Sequence, residues 1–139
     1  MAELYVDRDL DAELEVLANL HPQLVGLVDA YLEKIGGDPV AIETFTRGTP
    51  KWEYLYDPSY EVKRFAACWQ LQPRRHIYIV RLYDDDGSLA DYRLLVGHDP
   101  SDDSLVALSF LHRGIAYDTG RPEFAALLAR YDGWGLPHG

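Results

Sequence analysis

The chain has 139 residues, the size of one domain, and 47% of them are hydrophobic, which supplies a core and excludes a disordered or low-complexity protein. Its formal net charge of −10 excludes a nucleic-acid binder that works by bulk positive charge. A single cysteine, Cys68, excludes an internal disulfide, and no apolar run approaches the roughly 20 residues of a membrane helix.

Leu4-Tyr5-Val6 reads as a short strand, and the acidic start MAELYVDRDLDAELE lacks the basic and apolar regions of a signal peptide. Asp9 is expected to cap a first helix, with Leu10, Leu14, Leu17 and Leu20 as its buried stripe. His21-Pro22 ends that helix, and Pro22 suits the first position of the next, where its missing N–H costs nothing. Leu24, Val28, Tyr31, Leu32 and Ile35 line one face of the second helix, and Gly36-Gly37 stops it. Asp38-Pro39 and Thr49-Pro50 read as loops; between them Trp52, Tyr54, Tyr56 and Tyr60 either cover a small core or stack on bases. Val62 to Leu71 reads as a strand joining a sheet, with a short helix as the other reading.

From His76 to Tyr117 three apolar runs, Ile77–Tyr83, Tyr92–Val96 and Leu105–Leu111, are separated by turn-like segments around Gly87 and Pro100. This is the pattern of an antiparallel meander. Side chains alternate faces along a strand. Tyr78, Val80, Leu82, Tyr92, Leu94, Val96, Val106, Leu108 and Phe110 are assigned to the core side. Arg81, Arg93 and Arg113 then share the other side with Gly97, Ala107 and Ser109, whose small size leaves room for a ligand. Three converging guanidiniums suit a phosphate backbone; the alternative is that each pairs with a nearby Asp or caps a strand end. His112 falls on the predicted core side, and His98 ends a strand beside Asp99. Residues 46–83 add a basic stretch, with seven bases (Arg47, Lys51, Lys63, Arg64, Arg74, Arg75, Arg81) against Glu53, Asp57 and Glu61. After Tyr117, Arg121-Pro122 starts a last helix with Phe124, Leu127, Leu128 and Tyr131 on one face; residues 133–139 are expected to fray. No phosphate-binding glycine loop, HExxH motif or cysteine zinc motif is present, so neither metal nor cofactor is expected.

The segment LYVDRDLDAELEVLANLHPQLVGLVDAYLEKIGGDP, the strand YRLLVGHD and the run LVALSFLHRGIAYD together resemble the RelE/ParE superfamily of bacterial toxins. The resemblance implies one α+β domain over residues 1–139: an N-terminal helical hairpin on one face of a small antiparallel sheet of about four strands, with a C-terminal helix. It implies a cytoplasmic toxin of a type II toxin–antitoxin module, held by a cognate antitoxin and cleaving mRNA on the ribosome. Carried onto this chain, Arg93, Arg113 and Tyr117 are the catalytic positions, and Arg81, with Arg74 and Arg75 beside it, binds RNA phosphate. In RelE-like members the 2′-hydroxyl attacks the adjacent phosphodiester and the 5′-oxygen leaves. The lysines those enzymes carry on the first meander strand are absent; Ile77, Tyr78, Ile79 and Val80 stand there. A ParE-like gyrase inhibitor and a non-catalytic protein-binding module are the alternatives.

Overall fold

The computed structural model describes residues 3–47, 60–84 and 86–138. The reading of Trp52, Tyr54 and Tyr56 as stacking or core-covering aromatics lies outside them. The elements are β1 (Leu4–Val6), α1 (Arg8–Leu20), α2 (Pro22–Gly36), α3 (Pro39–Thr44), a 3-10 turn (Phe45–Arg47), β2 (Tyr60–Arg64), α4 (Ala66–Trp69), β3 (Ile77–Tyr83), β4 (Leu89–Asp99), β5 (Ser104–His112), α5 (Arg113–Ala116) and α6 (Pro122–Gly133). The class is α+β. The sheet has five strands rather than about four, in the order β1-β5-β4-β3-β2. It is mixed: β2 to β5 are antiparallel, but β1 runs parallel to β5, with Tyr5 opposite Val106. The meander is as expected, whereas the run after Val62 divides into β2 and the short α4.

The helix starts follow from local chemistry. α1 is capped by Asp7, not Asp9: its Oδ1 accepts from the N–H groups of Asp9 (2.8 Å) and Leu10 (3.4 Å). Asp7 is still extended, because its own N–H donates to the Ala107 carbonyl at 2.8 Å. Leu10 and Leu14 are buried, but Leu20 is 72% exposed, so the apolar stripe outruns the contact. In α2 the buried residues are Val25, Val28, Tyr31 and Ile35. Asp38-Pro39 is a helix start rather than a loop, since Asp38 accepts from Val40 (3.0 Å) and Ala41 (3.3 Å) and Pro39 takes the first turn.

The sheet is covered on both faces. On one, α1, α2 and α3 bury Tyr78, Val80, Leu82, Leu94, Val96, Leu105, Ala107 and Phe110. On the other, α4, α6 and the C-terminal tail bury Ile77, Ile79, Leu95, Val106 and Leu108. The expected open arginine face is therefore largely a second core. Strand alternation also slips in β5. Leu95 pairs with Ser109 but Val96 with Ala107, so Leu108 is an extra, bulged residue. The bulge moves Val106 and Leu108 to the second core, away from Phe110, and puts Ala107 in the first.

The tail packs instead of fraying. Leu136 is buried, and a Cβ on Gly97 would lie 2.7 Å from its Cδ1, so Gly97 leaves room for the tail rather than for a ligand. The Tyr131 hydroxyl donates to the Pro137 carbonyl and accepts from the His76 N–H at 3.0 Å. No helix among the described residues is long and apolar enough to cross a membrane.

Arg130 of α6 joins both layers. Its Nη1 donates to the Leu108 carbonyl (2.8 Å) and to Ser109 Oγ (3.2 Å), and its guanidinium pairs with Glu13 and lies 4.0 Å from Asp7. Trp134 Nε1 donates to the other oxygen of Asp7 at 2.8 Å. Asp7→Ala removes a helix cap, worth about 1 kcal/mol, the acceptor of the Trp134 indole N–H and a charge beside Arg130. Urea unfolding is expected to show a loss of about 2–3 kcal/mol, with Asp7→Asn, which keeps the cap, in between.

Candidate functional site

Polar residues that escape the second core form a row across the sheet. Register places Glu61 beside Arg81, Arg81 beside Arg93, and Arg93 beside Leu111. Arg81 and Arg93 are thus direct cross-strand neighbours on one face, with Cβ atoms about 5 Å apart. The next row, Lys63-Ile79-Leu95-Ser109, leads into the core.

Arg93 is 3% exposed. Its Nη1 donates to the carbonyls of Ala90 (2.7 Å) and Tyr92 (3.2 Å), and its Nε to the Tyr117 hydroxyl at 3.3 Å. Among the described residues no carboxylate forms an ion pair with it. Arg81 Nη1 stands 3.5 Å from Glu61 Oε2, which also accepts from the Tyr83 hydroxyl at 3.3 Å. Arg81 Nε is buried with no partner, a donor left unmade at a cost of about 1–3 kcal/mol. Tyr117 caps the end of α5 and is 41% exposed. It packs edge-on to Phe65, with centroids 6.0 Å apart, while Lys63 Nζ lies 5.8 Å from its centre. Among the described residues three cations, Lys63, Arg81 and Arg93, face one carboxylate, Glu61. Like charges directly opposed on a sheet repel. An anion seated between the guanidiniums removes that repulsion.

Other expected site residues lie elsewhere. Arg113 opens α5 and pairs with Asp91 at 3.7 Å, both side chains more than half exposed. His112 is exposed, not in the core; its Nδ1 accepts from the Gly114 N–H at 3.1 Å and caps α5. Arg75 forms a two-pronged pair with Asp132 (3.1 and 2.7 Å) at the opposite end of β3 from Arg81. Arg74 lies over Trp69, with Arg64 over the same ring at 4.2 Å. His98 is buried against Asp103, 3.0 Å away. Burial pushes the Cys68 thiol up to about 12, away from any nucleophilic role at neutral pH. Among the described residues no three His, Cys, Asp or Glu side chains are grouped to hold a metal. Lys63, Glu61 and Phe65 were missed; the signal was the period-two spacing of 61, 63 and 65.

No family model, curated protein or solved structure matches the chain.

The bond from Arg75 holds the Asp132 carboxyl below its usual range, helped by His138. A carboxyl lowered in the folded state binds fewer protons there than in the unfolded chain, so its contribution is complete above the ordinary aspartate value of about 4 and is lost as pH falls through the lowered one. The stability advantage of the parent over Arg75→Ala is expected to be constant near neutrality and to vanish on acidification, as read by urea unfolding across pH 7 to about 2.5.

Proposed function

We propose that the chain is a RelE/ParE-like toxin of a type II toxin–antitoxin module, acting in the cytoplasm as a metal-independent mRNA endoribonuclease and neutralised by a cognate antitoxin. The observation that carries this reading is the directly opposed pair Arg81 and Arg93 with Tyr117 bonded to one of them. The strand order, with the N-terminal strand against the last strand and a helical hairpin over one face, supports it.

In this reading the more exposed Arg81 and Lys63 meet the non-bridging oxygens of the scissile phosphate, and the buried Arg93 adds its charge from beneath, together stabilising the dianionic transition state. Both arginines stay protonated and serve as donors only. Arg93 Nε donates to the Tyr117 oxygen, so the tyrosine's own hydrogen is left to pass to the leaving 5′-oxygen, while solvent water takes the proton released by the attacking 2′-hydroxyl and returns one to the tyrosinate. Lys63 supplies the positive charge that the first meander strand lacks. Arg113, exposed and paired with Asp91, meets the flanking RNA rather than the reacting phosphate.

Induction of the parent in a bacterial host is expected to arrest growth and to produce breaks within translated mRNA, mapped by primer extension. Lys63→Ala and Tyr117→Phe, both at the surface, are expected to lower cleavage by at least about tenfold while retaining the parent's circular dichroism. DNA breaks with intact mRNA would establish the gyrase-poison alternative instead. A folded parent that alters neither growth, mRNA nor DNA sinks the toxin reading.

A further inference from the structure

β5 has nine residues, but β1 pairs with only Leu105, Val106 and Ala107 before Asp7 turns the chain into α1. The stretch Leu108–His112, about 17 Å long, has no strand beside it on that side among the described residues. Arg130 takes the Leu108 carbonyl and Ser109 is 2% exposed, so among the described residues the uncovered edge begins at Phe110, itself 5% exposed, and runs to the exposed His112. Two adjoining clefts of about 530 and 190 Å³ share Glu13, Leu111 and Glu123 in their walls. Their linings come from both faces of the sheet: Val16, Leu20 and Phe110 on the α1 side, Leu111 and Glu123 on the α6 side. The opening is a slot that straddles a bare strand edge. Val16 is 66% and Leu20 72% exposed there, large apolar side chains at the mouth of the slot.

We propose that this slot accepts a β-strand from a partner protein, with apolar side chains on alternate positions and Lys or Arg between them. An added strand satisfies the open backbone edge and places successive side chains on opposite faces of the sheet. Alternate positions then meet Val16, Leu20 and Phe110, and the intervening ones meet Glu123. Charge selects the occupant. The larger cleft is lined by Glu13 and Glu123 and no Lys or Arg; Glu123 pairs with Arg121 at 3.4 Å and Glu13 with Arg130, but with Asp7 and Asp9 also beside Arg130 the carboxylates outnumber these two bases four to two. The one base in the smaller cleft, Arg130, is already met by Asp7, Asp9 and Glu13. A second copy of a chain carrying −10 would bring like charges together. The proposal does not depend on the RNA reading.

The test uses fluorescein-labelled eight-residue peptides titrated against the full chain by anisotropy: alternating Val and Lys, alternating Val and Glu, and Val and Lys with a central Pro. The Val/Lys peptide is expected to bind in a salt-dependent manner, the other two at least about tenfold more weakly. Leu20→Asp, at an exposed position that leaves the fold intact, is expected to lower affinity at least about tenfold. Amide hydrogen exchange is expected to slow at Phe110–His112 on binding. Equal binding of the Lys and Glu peptides, unchanged affinity of Leu20→Asp, or unaltered exchange at Phe110–His112 overturns the proposal. So does sedimentation showing a dimer of the parent that Leu20→Asp dissolves, which would assign the edge to a second copy.

Discussion

Ile77, Tyr78, Ile79 and Val80 are all less than 5% exposed, and Leu94, Leu95 and Val96 are 1% or less. The central strands therefore lose solvent on both faces at once. Each such side chain contributes about 1.5–3 kcal/mol through burial, so the two layers bind the sheet with comparable strength. A charge in the middle of either face would face desolvation with no room for a partner. The arginines of β3 and β4 accordingly stand near the Asp84–Ser88 turn, one row beyond the second core.

The two layers are tied together at one corner. Asp7 ends β1, caps α1 and accepts from Trp134 after α6, while Arg130 reaches from α6 to Glu13 on α1. Two elements far apart in sequence thus share one set of charges beside the β1–β5 edge. The same corner limits how far β1 can run, because the chain must leave the sheet where Asp7 starts the helix. The bare length of β5 is the geometric consequence.

The polar row owes its character to unequal pairing. Glu61 offsets Arg81 in part, and Arg93 is held by neutral carbonyls and a tyrosine. Neutral acceptors fix a guanidinium's position while leaving its charge uncancelled, which suits the capture of an anion. Arg75 shows the contrasting case, in which a two-pronged carboxylate consumes the fork and the arginine serves the fold.

Much was legible from residue order alone. Helical spacing and Pro22 placed the hairpin, turn residues around Gly87 and Pro100 placed the meander, and parity put Arg81 and Arg93 on one face. These depend on interactions a few residues apart, which a sequence displays directly. The tertiary structure decided the rest. Alternation alone left Ile77 and Ile79 on the uncovered arginine side, and only packing put α4, α6 and the tail over that face. The bulge at Leu108 broke the parity that had grouped Ala107 with the arginines, and Arg113 turned to Asp91. Lys63 and Tyr117, more than 50 residues apart, met only because β2 lies beside β3 and α5 follows β5. Local periodicity fixes which elements form and which way a side chain points, whereas long-range packing fixes which charges end as neighbours.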